Sequence, residues 1–358
     1  MAVRWLVTLA AALVTRAAPP PYDVVRLTDG VYAIIRHDPE SFGNNANSLV
    51  VIGDSGVLVV DAQFTRLATQ QTLSAIRQLT TKPVRYLINT HWHDDHAAGN
   101  QVYRDTFPNV EIVAQANTRA DLATIGAENR KGTWGGAASF TARLRRLLAQ
   151  GLGADSTPAT SRERAALENA VAIITEYIGD APGFRETLPN QTFDREMTVQ
   201  LGHRAVQLRW FGEASTRGDA VVYLPVEHIA AVGDLLGDPV PFAFNAHVGS
   251  WISVLDSIRA LSATSLVPGH GSVFRGLARL DSTRAMLSRV RDETFAAARE
   301  GQPLDQVRRR VTLRDYREAI AGSDKWLNAA FTSFFLAPGV SAAYEDFKKS
   351  GSSGARQR

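Results

Sequence analysis

The sequence predicts an α/β protein built as a four-layer αβ/βα sandwich, two sheets face to face with helices outside. Two observations predict it. Short apolar runs divided by turn residues occur as two similar sets, and each set is followed by helical periodicity. The chain has 358 residues, 45% of them hydrophobic, and no cysteine, so it is long enough to bury a core without cross-links.

The first set comprises "VVRL", "VYAIIR", "SLVVIG" and "GVLVVDA", with Asp29-Gly30 and Asp54-Ser55-Gly56 as turn signals. A helix follows in which Leu73, Ile76 and Leu79 share a face, then an apolar run ending at Ile88 and a strand at Val110 to Ala114. From Ala116 to Pro189 there is no strand pattern; Leu167, Ala170, Val171, Ile174, Tyr177 and Ile178 fall on one helical face, and "GTWGG" (Gly132 to Gly136) reads as a loop. This is a helical insertion at about 116–189. The second set is "MTVQL", "RAVQLRWF", "DAVVYLP" and "HIAAVGD", followed by a helix at Trp251 to Leu261 and the strand "SLVPGHG". Residues 22–276 form the main domain and 277–347 a helical extension with breaks at Gly301 to Pro303 and at Pro338-Gly339. Residues 348–358, polar and rich in Gly and Ser, read as a disordered tail.

Residues 1–21 combine an early arginine, an apolar run from Trp5 to Val14 and small residues before a proline break, the layout of a secretory signal. A run of ten residues does not span a bilayer of ~30 Å. The expected location is therefore the periplasm or the exterior, with a mature chain starting between Ala17 and Tyr22 and no stable membrane span. The net charge is +3, and its basic clusters, Ala142 to Leu148 and Val307 to Val311, lie in helical patterns as solvated faces rather than as a nucleic-acid stripe. The expected partner is a small-molecule substrate; the sequence carries no signal for oligomeric state.

The chemistry concentrates in "NTHWHDDHAAGN" (Asn89 to Asn100), which places His91, His93, Asp94, Asp95 and His96 directly after a buried run. On a strand end His91 and His93 point the same way, and the turn after Trp92 carries Asp95 and His96 to a second point. Imidazole and carboxylate suit Zn²⁺, one ion or two, and Fe or Mn where oxygen donors dominate; without cysteine, thiolate sites are excluded. His37, His203 and His228 sit in ordinary strand or turn contexts.

With this H-x-H-x-D-H motif, "AAVGDLL" and "LVPGHG" in order, residues 24–274 resemble the metallo-β-lactamase-fold hydrolases, particularly the glyoxalase-II-like branch. The resemblance implies that His91 and His93 bind metal one, that Asp95, His96 and His270 bind metal two, that Asp234 bridges both and that Asp61 supports them from behind. One position departs from the pattern: where the family reads G-x-A-H-T-x-G-D, this chain has "GEASTRGD", so Ser215 stands in place of the third histidine of metal one. Glu213, Ser215 itself, His247 or water are the alternatives for that vacancy. Trp92, Trp134, Phe242 and Phe244 are the candidate pocket walls, with the core as their alternative place.

A metal so held lowers the pKa of its water to ~7, which makes hydroxide available at neutral pH, with Asp95 and Asp234 as the carboxylates next to the chemistry. The reading is a zinc-dependent hydrolase of an ester, lactone or thioester. Alternatives are β-lactam hydrolysis and a weakly active or non-catalytic metal-binding periplasmic relative, which Ser215 favours. A di-iron redox enzyme would need an electron-donor domain, and no Gly-rich flavin segment follows.

Overall fold

The computed structural model describes residues 20–38 and 44–355. The expected signal segment lies outside them up to Pro19, and among the described residues no helix is long and apolar enough to cross a membrane.

The first sheet runs in sequence order: β1 (Tyr22–Thr28), β2 (Val31–Arg36), β3 (Ser48–Ile52), β4 (Val57–Val60), β5 (Val84–Asn89), β6 (Glu111–Gln115) and β7 (Gln191–Phe193). The second comprises β8 (Glu196–Leu201), β9 (Arg204–Arg209), β10 (Val221–Leu224), β11 (Ile229–Gly233), β12 (Ser265–Pro268) and β13 (Phe274–Arg275), in the reverse order β13 to β8. Strand alternation divides the side chains between two cores. Along β4, Leu58 and Val60 face the second sheet, where Leu201, Leu208, Val222 and Ala231 meet them. Val57 and Val59 face outward onto Leu73 and Ile76 of the helix Arg66–Leu79. Both faces are covered, so β4 is apolar throughout. The outer face of the second sheet, with Val221, Tyr223 and Val232, packs on Trp251 and Leu255 of the helix Val248–Ala260 and on Met286 and Phe331 of the C-terminal helices. Helix, sheet, sheet, helix is the sandwich the sequence predicts.

Three local expectations are corrected and one strand is added. "GTWGG" is not a loop; it lies within the helix Ala127–Gln150, which packs on the helix Ser161–Asp180 through Leu144, Leu147, Leu167 and Ala170. Among the described residues the insertion itself holds no strand, as expected; a short strand, β7, follows just beyond Pro189 and goes unnoticed in the sequence because three residues carry too little periodicity to register. Pro338-Gly339 does not break the chain's helical course: the π-helical turn Phe331–Leu336 leads straight into the helix Ala337–Ala355, and the Phe334 carbonyl, which Pro338 leaves without an N–H donor, accepts from the Ala243 backbone N–H instead. That helix also carries the backbone of 348–355, read as disordered, because adding residues to a formed helix is far easier than starting one.

The topology positions the chemistry. β4 pairs with β5, and β11 with β12, in parallel. Their C-terminal ends therefore open on one edge of the sandwich and deliver Asp61, the stretch 91–96, Asp234 and His270 together.

Candidate metal centre

His91 is fully buried just past the end of β5, and its Nε2 lies 2.9 Å from His93 Nδ1 and 3.7 Å from Asp234 Oδ2. The turn into the short helix Asp94–Ala97 brings the second group round: His96 Nε2 is 3.4 Å from Asp95 Oδ2 and from Asp234 Oδ1, and His270 Nε2 is 2.9 Å from Asp95 Oδ2. Two overlapping clusters result, His91/His96/Asp234 and Asp95/His96/His270, with Asp234 offering one oxygen to each side. The donor set fits a metal. His96 Nε2 and Asp234 Oδ1 are buried without a hydrogen-bond partner, an arrangement that costs free energy unless something positive sits between them. Gly269 keeps that space open, since a Cβ there would collide with Asp234 Oδ1.

The orientation of each ring is set from behind. The Asp61 carboxylate accepts from His96 Nδ1 at 2.8 Å, which turns Nε2 toward the cluster. It also accepts from the Thr90 backbone N–H at 2.8 Å and from the Thr90 hydroxyl. With that proton given to Asp61, the Thr90 oxygen accepts from His91 Nδ1 at 3.0 Å, and His91 Nε2 also points inward. Asn47 reaches across from the first sheet to donate to the carbonyls of Pro268 and Gly271, fixing the loop that carries His270. Thr90 and Asn47 went unnoticed in the sequence because a threonine and an asparagine beside strand ends carry no pattern of their own.

The electrostatics follow from crowding three carboxylates and four imidazoles. Burial, with His96 and His93 nearby, holds His91 well below the usual histidine range, and burial lowers His93. Burial opposes charge on His96 and His270 as well, but Asp95, Asp61 and Asp234 around the former, and Asp234 and Asp95 around the latter, raise both. Burial likewise works against Asp95 and Asp234, yet the imidazoles hold both below the ordinary carboxylate range. The site is thus built to concentrate negative charge that protons or a cation must balance.

Neither Glu213 nor His247, weighed as replacements for the third histidine the resemblance implies, joins the clusters. His247 Nδ1 lies 3.3 Å from the Glu213 carboxylate. The segment is a bend rather than a strand, with Ala214 N–H bonded to Thr216 O; Glu213 is half-buried and Ser215 buried. Ser215 Oγ donates to the Phe242 carbonyl at 3.3 Å. Beside His93 stands a residue the sequence does not single out, Asn245, whose Oδ1 lies 3.4 Å from His93 Nε2.

A cavity of about 410 Å³ opens on the cluster. Trp92, Phe242 and Phe244 line it, joined by Phe64, Tyr177 and Phe334. Trp134 does not; its ring packs on Tyr177 and Phe184 behind the wall, because the helix through "GTWGG" turns it inward. Asp94, the motif's remaining carboxylate, is held by the Arg130 guanidinium and the Tyr177 hydroxyl, and Arg130 also reaches Glu186.

Fold and site together define a class: αβ/βα sandwiches with a two-part His/Asp cluster at the edge where parallel strands end. The chain belongs to the metallo-β-lactamase superfamily, whose family model matches residues 42–270. It is 23% identical over 279 residues to a linear primary-alkylsulfatase from Pseudomonas sp., covering 72% of this chain and 48% of that one. It is 28% identical over 113 residues to a type 2 metallo-β-lactamase from Bacteroides fragilis, covering 30% of this chain and 45% of that one. The chain thus spans about half the length of the curated relatives it matches. Among solved structures, a stereoselective inverting sec-alkylsulfatase from Pseudomonas sp. matches with a TM-score of 0.61 at 16% identity, over 91% of this chain and 50% of that one. A metallo-β-lactamase from Pontibacter korlensis matches with a TM-score of 0.52 at 19% identity, over 75% of this chain and 99% of that one. These likenesses establish the fold.

Proposed function

We propose that the chain is a metal-dependent hydrolase, with zinc as its metal, acting on an ester, lactone or thioester in an uncharged molecule with an apolar body. The observation that carries this reading is the meeting of two features: His/Asp clusters with orphaned buried donors, and a cavity whose described lining is largely apolar and includes no lysine or arginine. A pocket built for an anionic group would be expected to present a guanidinium or ammonium to it.

In this reading, which follows the ligand sets the resemblance implies, His91, Asp234 and His93, which stands beside His91 but in neither cluster, would hold one ion, and Asp95, His96, His270 and Asp234 would hold the other. When bound, such ions supply an acidified water and polarise the bond to be cleaved. Asp61 and Thr90 keep the imidazoles in the tautomers that present Nε2. Asp95, at the cavity surface, is placed to accept the proton released on attack and pass it to the leaving group. The aromatic walls exclude bulk water and orient the substrate.

The test is turnover of a carboxylic ester, a lactone, a thioester, a β-lactam and dodecyl sulfate by zinc-loaded and chelator-treated protein. Chelator-sensitive cleavage of one of the first three supports the reading; turnover of none of them sinks it. A second reading, alkyl sulfate ester hydrolysis, is favoured by the alkylsulfatase likeness, which in the structure extends over 91% of this chain. Sulfate release from dodecyl sulfate alone would select it.

A further inference from the structure

Two turns of π-helix interrupt the helices around the cavity, and both reach its wall. Leu122–Gly126, in the insertion, contributes Gly126; Phe331–Leu336, in the C-terminal extension, contributes Phe334. A π-turn gives up good α-helical hydrogen bonding, and such turns recur at functional sites. The second one has a visible consequence. Pro338, four residues after Phe334, has no N–H, so the Phe334 carbonyl lacks its α-helical donor. It accepts instead from the backbone N–H of Ala243, at 2.9 Å. Ala243 lies between Phe242 and Phe244, whose rings are 4.7 Å apart, and the Phe242 ring is 6.1 Å from Phe334 and 5.6 Å from His93. In the other turn, a Cβ on Gly126 would come within 3.4 Å of the Trp92 ring, so the glycine leaves that part of the cavity clear.

We propose that the two π-helical turns determine substrate specificity: Phe334 and the Phe242–Phe244 segment it anchors grip an unbranched apolar chain of the substrate, and Gly126 leaves room for that chain beside Trp92. The reaction rests on the hydrolase reading above, but the binding does not. The site lies next to the metal centre, so a ligand anchored there can probe it.

The experiment is calorimetric titration of zinc-loaded protein with straight-chain alkyl hydroxamates of four to ten carbons. Burying a methylene contributes ~0.8 kcal/mol, so affinity should rise about fourfold per carbon until the cavity is filled. In Phe334→Ala the longest ligands should lose at least about tenfold while the shortest stays within about twofold, and Phe334→Leu should recover most of the loss. Gly126→Leu should weaken only the longer ligands. Zinc stoichiometry and melting temperature check each variant, and Gly126→Leu, with the native length dependence, carries the test if the alanine variant does not fold. A native affinity independent of chain length, or one whose length dependence survives all three substitutions, overturns the proposal. Length-dependent binding without turnover of any ester overturns the hydrolase reading and leaves this one standing.

Discussion

At the scale of single residues, Ser215 is the position where this chain departs most from the family pattern. Its hydroxyl is committed to the Phe242 carbonyl, and the carboxylate and imidazole weighed as replacement ligands, Glu213 and His247, are paired with each other. Metal one is therefore expected to keep two histidines and a shared carboxylate, and metal two to be the tighter site. Native protein should bind one zinc tightly and a second weakly, and Ser215→His should tighten the second by at least about tenfold, since even outer-sphere partners of a metal site are worth ~10–100-fold. Competitive zinc titration against a chelator measures this. Two equally tight sites in the native chain, unchanged in the variant, would place the third ligand elsewhere. The sequence singled out His91, Asp95 and His96 by their spacing after a strand and Asp234 and His270 at later strand ends, and these meet in the two clusters, while His93 stands beside His91 in neither. Asn47 and Asn245 carried no signal because their partners at the site lie 152 to 224 residues away, and Thr90 because its role rests on ring orientation.

At the scale of elements, the helical insertion is fastened to the metal motif by one buried ion cluster. Asp94 of the motif takes the Arg130 guanidinium and the Tyr177 hydroxyl from the two insertion helices, and the Arg130 side chain is only 3% exposed. Arg130→Met leaves Asp94 charged and short of its main partner, and removing one member of a buried pair typically costs ~3–5 kcal/mol. Equilibrium denaturation should show a loss of that order; a change below about 1 kcal/mol would mean that water replaces the guanidinium. The glycines of the same helix behave in the opposite sense. Gly135 and Gly136 are exposed, with nothing within 4 Å of the point where a side-chain methyl would stand. Gly135→Ala and Gly136→Ala should each stabilise the protein by ~0.5–1 kcal/mol, because glycine loses more backbone freedom on entering a helix. Destabilisation would show that the segment needs its glycines for another purpose. Local propensity alone made this stretch read as a loop, and tertiary packing of Leu144 and Leu147 reversed that reading.

At the scale of the whole molecule, the C-terminal extension is not an appendage. Leu280, Met286, Leu287, Val290, Phe331 and Phe335 share one core with Val221 and Val232 of the second sheet, and Phe334 lines the cavity. Truncation after Gly276 would uncover the outer face of that sheet, so residues 22–276 expressed alone should aggregate or bind a hydrophobic dye strongly rather than give a monomer with a cooperative melt. A soluble, cooperatively melting fragment would show that the extension is dispensable to the fold.

The sequence by itself determined the class of fold, the ligand-rich motif and the order of its landmarks, because strand alternation and closely spaced donors are local properties written within a few residues. Only the tertiary structure decided which donors converge, that Glu213 and His247 pair with each other, that Trp134 turns inward, and that Phe334 and Asn245 border the site. These depend on which strand edges and helices meet across tens to hundreds of residues of chain, and no local pattern encodes such a meeting.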